Sequence, residues 1–251
     1  MRENLIGGRW VGGAASIANV NPSNTDEIIG MYAEAGRAET ERAVAAAADA
    51  FESWSRSPPQ RRHDVLKTIG DGLLARKAEI GEMLAREEGK ILREAVAETE
   101  RAARIFLFFA GEALRLAGEL LPSVRPGVTV ELTREPVGPV GLITPWNFPI
   151  AIPAWKIAPA LCHGNSVVIK PAELVPGTAW LLSEIISQSG LPDGVFNLVM
   201  GPGSVVGRAI LEAPEIRAIS FTGSVWTGRV VAEACLRHRR KVQLEMGGKN
   251  P

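Results

Sequence analysis

The sequence is short of cysteine, of net charge and of uninterrupted hydrophobic length, and each shortage removes a class of answers. Two cysteines, Cys162 and Cys235, in 251 residues cannot build a disulfide framework, so a reducing, cytoplasmic setting is expected. Lys plus Arg number 28 and Asp plus Glu 28, leaving a formal net charge of zero. No global field draws such a chain to nucleic acid or to an anionic membrane. The local exception, Arg237, Arg239, Arg240 and Lys241, reads as a solvated helix end whose cations face the negative pole of the dipole, in preference to a phosphate patch. The chain opens without a signal-peptide run. Its most apolar stretch, 142–154, is broken by Pro145, Pro149 and Pro153, whereas a spanning helix needs about 20 apolar residues. Three scattered histidines (His63, His163, His238) and the two cysteines have no zinc-like spacing, so no metal is expected. A Gly-x-Gly-x-x-Gly fingerprint is also missing, which argues against an alcohol dehydrogenase of the ordinary Rossmann kind.

What is present is a globular composition, 46% hydrophobic and 22% charged, with ample chain for a core. The first thirty-odd residues, with Gly7-Gly8 and Gly12-Gly13 as turn signals, predict short strands and hairpins. Alanine-rich helical periodicity covers 39–54, Pro58-Pro59 punctuates, and a second helix covers 60–76. Helical rhythm continues over 78–120 with Glu and Arg four apart. It includes Phe106, Phe108 and Phe109, read as a buried helix face rather than a cofactor box. Residues 122–139 change character: a turn at Pro126-Gly127 and alternation over 128–133 predict an exposed arm or hairpin.

From residue 140 short apolar strands alternate with amphipathic helices. Strands are expected over 140–143, 166–169, 195–199, 218–221 and 241–244, and helices over 152–161, 178–189, 205–212 and 225–235. These are βαβ units, so the fold class is α/β, with a doubly wound, mostly parallel sheet of nucleotide-binding architecture. Ligands of such sheets bind beyond the carboxyl ends of the strands.

Those ends carry unusual residues. Asn147, held between prolines, suits an oxyanion donor because a preorganised amide needs no reorganisation. An Asx-turn is the plainer alternative. Lys170 suits a ribose or phosphate contact, or is a snorkelling surface lysine. Glu173 suits a ribose diol, or caps the next helix. Phe221-Thr222-Gly223-Ser224 with Gly228 is strand, glycine turn and helix start, where amides meet a pyrophosphate. Gly201-Pro202-Gly203 with Gly207 is a second glycine turn, read first as structural. Glu245 before two glycines suits a general base if its pocket is dry, and is otherwise a solvated loop carboxylate.

In this order and at these ends, four runs make the chain resemble the aldehyde dehydrogenase superfamily along nearly its whole length: Pro145-Trp146-Asn147-Phe148-Pro149, Lys170-Pro171-Ala172-Glu173, Phe221-Thr222-Gly223-Ser224 and Glu245-Met246-Gly247-Gly248-Lys249-Asn250-Pro251. The stretch 147–159 looks closest to the branch that oxidises semialdehydes such as 2-oxoglutarate or succinate semialdehyde. The resemblance implies a cysteine thiolate that attacks the aldehyde, a thiohemiacetal that passes hydride to NAD(P)+, and a thioester that is hydrolysed. It implies Asn147 as oxyanion donor and Glu245 as base for the hydrolytic water. Lys170 and Glu173 would hold the adenosine ribose, Ser224 would meet the pyrophosphate, and Trp146 and Phe221 would line the cleft. Thr144, Pro145, Ala172, Gly203, Gly207, Thr222, Gly223, Met246, Gly247 and Glu245 itself join them as cofactor-binding residues. Glu173 favours NAD+, since a carboxylate there repels a 2′-phosphate.

On this reading 1–121 holds hairpins and helices of the cofactor-binding domain, 122–139 an oligomerisation arm and 140–251 the dinucleotide-binding core. A homodimer or homotetramer is expected from the arm. The family's nucleophilic cysteine falls beyond residue 251, and Cys162 and Cys235 read as small buried hydrophobes. The chain alone is therefore expected to hold most of a cofactor site and no thiol chemistry. A naturally short nucleotide-binding or assembly module is the alternative.

Overall fold

A computed structural model describes residues 1–248. The motif residues Lys249, Asn250 and Pro251 lie outside the described residues. Four short strands open the chain: β1 (Asn4–Ile6), β2 (Arg9–Val11), β3 (Ala15–Val20) and β4 (Ile28–Glu34). The β1–β2 turn is made by Gly7 and Gly8, both at positive φ, which glycine adopts without the Cβ penalty. Four helices follow: α1 (Arg37–Ser55), α2 (Pro59–Ala75), α3 (Lys77–Glu88) and α4 (Leu92–Ala113). Glu39 accepts the Gly36 amide at 2.9 Å to start α1, and Pro59 occupies the first position of α2, where no backbone donor is needed.

The expected helical rhythm over 78–120 is broken twice. Gly89, left-handed at φ 81°, ends α3. After Ala113 the chain becomes β5 (Glu119–Pro122), which pairs antiparallel with β6 (Thr129–Leu132) to form the exposed arm. The phenylalanine cluster also divides. Phe106 is buried, but Phe108 is exposed, because two residues along a helix turn the side chain to the opposite face.

The rest alternates: β7 (Val140–Ile143), α5 (Ala151–Cys162), β8 (Val167–Lys170), α6 (Pro176–Ser187), β9 (Phe196–Leu198), a π-helical turn (Gly203–Gly207), α7 (Arg208–Glu212), β10 (Ala218–Gly223), α8 (Val225–Arg237) and β11 (Lys241–Met246). The main sheet runs β11-β10-β7-β8-β9-β1-β2. Its first five strands are parallel and β1 and β2 are antiparallel additions. The N-terminal hairpin thus completes the sheet, a long-range pairing that local pattern does not carry. Residues 205–212, expected as one helix, divide into the last part of the π-helical turn and α7.

Cores lie on both faces of the sheet. On one, Leu142, Val167, Ile169 and Leu198 pack against α2, α4, α5 and α6. On the other, Val168, Ile219 and Phe221 pack against α1, α7 and α8. Successive strand side chains point to opposite faces, so a strand buried on both is apolar throughout. Trp54 is fully buried and donates Nε1–H to the Leu161 carbonyl at 3.2 Å, tying α1 to α5. The basic cluster is not wholly solvated. Arg240 donates to the carbonyls of Leu211 and Ala213, closing the C-terminal end of α7 where the helix dipole favours a cation.

Candidate functional site

The strand order reverses between β7 and β10, which places a crevice at their carboxyl ends. A cleft of about 1480 Å³ opens there. From the β7 exit it is bordered by Thr144, Pro145, Trp146 and Asn147, and from the β8 exit by Lys170, Ala172 and Glu173. The π-helical turn contributes Gly203 and Gly207. Phe221, Thr222, Gly223 and Ser224 enter from β10, and Glu245, Met246 and Gly247 from β11. Each residue expected from the sequence to be catalytic or cofactor-binding borders this one cleft, while Gly201 and Gly228 of the two glycine turns do not.

Two of the plainer readings fail here. Lys170 does not snorkel; it is 4% exposed. Its Nζ donates to the Pro171 carbonyl at 2.9 Å and lies 3.5 Å from Glu173 Oε1. Burial pulls its pKa below the usual lysine range, against the attraction of Glu173. Glu173 does not cap α6, which starts at Val175-Pro176 with no side-chain cap. Its Oε1 instead accepts the Gly203 amide at 2.6 Å. A Cβ at Gly203 or Gly207 would lie 3.8 Å from the Lys170 stem, so both glycines sit directly against the buried lysine. The turn first read as structural borders the cleft.

Ser224 is the N-cap of α8, its Oγ accepting the Thr227 amide at 3.2 Å. Val225 and Trp226, in the first turn, have amides without a helical acceptor. Gly228 lets α8 sit close to β11, since a Cβ there would meet Met246 Cγ at 3.0 Å. Asn147 is exposed, and among the described residues its carboxamide makes no hydrogen bond, so the Asx-turn is not formed. Glu245 is exposed on the outermost strand rather than held in a dry pocket. Its Oε1 accepts from Gln243 Nε2 at 2.9 Å. Thr144 Oγ1 is buried with no partner.

Several residues were missed. Lys156 is the lone cation on the apolar α5, and that isolation was a usable signal. Its Nζ donates to Ser220 Oγ at 2.7 Å and Gln243 Oε1 at 3.2 Å. Burial pulls it down to about 8, although the Glu245 carboxylate opposes this. Lys90 and Glu98, which touch the Asn147 loop, carried no signal because that contact spans more than fifty residues. Cys162 and Cys235 are buried and unpaired as expected. Burial pushes the Cys162 thiol up to about 11 and also raises Cys235. No metal-binding group occurs among the described residues, and none of their helices is long and apolar enough to cross a membrane.

The aldehyde dehydrogenase family profile matches residues 10–251. The chain is 42% identical over 250 residues to the alpha-ketoglutaric semialdehyde dehydrogenase of Bacillus subtilis, covering 99% of this chain and 51% of that protein. It is 40% identical over 250 residues to the mitochondrial succinate-semialdehyde dehydrogenase of Arabidopsis thaliana, covering 99% and 47%. A crystal structure of a betaine aldehyde dehydrogenase point mutant from Staphylococcus aureus, in complex with NAD+, superposes with a TM-score of 0.96 at 35% identity. That match covers 100% of this chain and 52% of the other. The chain spans about half the length of the curated relatives it matches. It belongs to the aldehyde dehydrogenase family.

Proposed function

We propose that this chain is the cofactor-binding part of an NAD(P)-dependent dehydrogenase that oxidises a semialdehyde, such as 2-oxoglutarate or succinate semialdehyde, to the carboxylic acid. The observation that carries this reading is the convergence of four strand ends on one cleft at the reversal of a doubly wound sheet. The cleft's own features fit a dinucleotide. Thr144 Oγ1 is buried and unpartnered, Lys170 lies buried with its stem beside Gly203 and Gly207, and α8 offers a capped N-terminus of the kind that binds phosphates. Lys170 and Glu173 would hold the adenosine ribose, Ser224 and the first turn of α8 the pyrophosphate. Trp146 and Phe221 would wall the cleft. The Glu173 carboxylate makes NAD+ the preferred form.

When bound, the nicotinamide supplies an acceptor for hydride. The protein supplies the rest. The free carboxamide of Asn147 donates to the aldehyde oxygen as charge develops on it, between prolines that hold the loop. Glu245, accessible to water and oriented by Gln243, takes the proton of the hydrolytic water. Neither cysteine here is the nucleophile, because a thiol attacks as thiolate and burial suppresses that form at both. The attacking thiol belongs to a segment outside these residues. The exposed arm of β5 and β6 pairs with a second copy to make a dimer or tetramer.

The test is an NAD+ titration of the complete enzyme, followed by assays with the two semialdehydes and a neutral aldehyde of similar size. Saturable binding with faster turnover of the semialdehydes is expected. Absence of NAD+ and NADP+ binding would sink the reading. Binding without turnover, by material with an intact mass of 26.9 kDa, would instead identify a nucleotide-binding module.

A further inference from the structure

The loop that carries Asn147 is held at its middle and at its exit into α5 by one buried ion pair. Lys90, in the short connection after α3, extends its Nζ to Glu98 Oε2 at 2.7 Å and to Glu88 Oε2 at 3.1 Å. The same ammonium donates to the Asn147 carbonyl at 3.0 Å and lies 4.3 Å from the centre of the Phe148 ring. Two of its N–H groups thus hydrogen-bond, to Glu98 and to the Asn147 carbonyl, while the Glu88 carboxylate and a ring face meet the remaining charge. Glu98 uses its other oxygen differently. Oε1 accepts the amides of Ile150 at 3.2 Å and Ala151 at 3.1 Å, where α5 begins and a carboxylate satisfies orphan donors. The side chains of Lys90 and Glu98 are 13% and 4% exposed. Burial opposes the charge on Lys90, but the Glu98 and Glu88 carboxylates beside it outweigh this and raise its pKa.

We propose that Lys90, paired with Glu98, is a positioning residue for the Asn147 carboxamide. It anchors the Asn147 backbone while Glu98 anchors the following helix start, so the amide projects into the cleft from a segment held at Asn147 and just after it. Neither residue touches the reacting atoms. The role rests on the assignment of Asn147 as oxyanion donor above. It follows from geometry because Asn147 has no side-chain partner among the described residues to orient it. Its direction is set by its backbone, and its backbone is held by Lys90. A displacement near 1 Å at such a donor costs about a hundredfold in rate.

The test is a double-mutant cycle in the complete enzyme, read by the pre-steady-state burst of NADH with succinate semialdehyde and by the NAD+ dissociation constant. Lys90→Gln is expected to slow the burst by roughly ten- to a hundredfold, with cofactor affinity unchanged within about twofold. Lys90→Arg, which keeps the cation, is expected to recover most of the loss. In an Asn147→Ala background Lys90→Gln should cost less than about twofold, since no amide is left to orient. An equal cost in both backgrounds, or an unchanged burst in Lys90→Gln, overturns the positioning role. An unchanged burst in Asn147→Ala alone overturns the oxyanion assignment itself, and the two failures are thereby distinct. If Lys90→Gln is too unstable to assay, Lys90→Met with Glu98→Gln carries the same comparison. That pair leaves less unpaired charge and keeps an acceptor for the α5 amides.

Discussion

Glu173 and Gly203 are joined across the cleft mouth: the carboxylate of one accepts the amide of the other at 2.6 Å. The β8 exit is thereby tied to the π-helical turn, and Lys170, 3.5 Å from the same oxygen, is enclosed beneath. Oε1 serves both partners, so the pair of charged groups that would face a ribose is preset by backbone.

Glu173→Gln keeps an acceptor for Gly203 and removes only the charge. The NAD+ dissociation constant of the complete enzyme is expected to rise by about tenfold, and that of Lys170→Ala by about ten- to a hundredfold, the range for one lost charged hydrogen bond. Aldehyde affinity should change far less. Isothermal titration checks this, and an unchanged cofactor constant in both variants would refute the assignment.

Glu245 and Asn147 should separate kinetically. Glu245→Gln is expected to retain the burst of NADH while turnover falls by roughly two to four orders of magnitude, the scale of a lost general base. Asn147→Ala should slow the burst itself by about 10²–10³, as for one lost oxyanion donor. Stopped-flow absorbance distinguishes them; a burst abolished by Glu245→Gln contradicts this division of labour.

The two cysteines should be dispensable for chemistry. Cys162→Ala with Cys235→Ala is expected to retain the burst at a stability cost of about 1 kcal/mol for each small void. In the native protein both thiols should resist alkylation that proceeds readily in urea, because both are buried. Loss of the burst in the double variant would place the nucleophile within this chain.

Glu87 sets a pH dependence of stability. It is fully buried, accepts from Asn19 and from the amides of Gly177 and Thr178, and burial lifts it from 4.5 to about 7. A raised folded-state pKa means that the protonated carboxyl favours folding. Its contribution is complete below about pH 4.5 and lost as pH rises through about 7. Relative to Glu87→Gln, the wild-type protein should lose unfolding free energy across that window in urea titrations. A difference that stays flat from pH 4.5 to 8 would show that the carboxylate is stabilised after all.

The parallel strands were legible because burial on both faces forces apolar runs such as Val167-Val168-Ile169, and glycine or proline marks where each run ends. The residues that border the cleft were legible for the same reason: Asn147, Lys170, Ser224 and Glu245 are polar groups placed just where such runs finish. What escaped was set by contacts distant in sequence. Nothing near Lys90 points to Asn147, and nothing near Asn4 points to Met200, whose amide its side chain accepts at 2.7 Å. Helix ends were misjudged where side-chain rhythm continues past a break made by backbone, as at Gly89. The orientation of Glu173 depended on a turn whose π-helical geometry has no pattern in side-chain periodicity.

The docking of β1 beside β9 has a consequence for synthesis on the ribosome. Gly7 donates to Asn197 Oδ1 over a separation of 190 residues. At about 5–20 residues per second, the hairpin emerges roughly 10–40 s before the strand that receives it. During that interval the N-terminal hairpin has no neighbouring strand, and β9, once made, is a raw edge until the hairpin returns to it. The nascent chain therefore passes through a stage in which residues 4–11, made long before β9, are among the last to settle. A change that removes or blocks residues 4–11 acts on the closing step of sheet assembly.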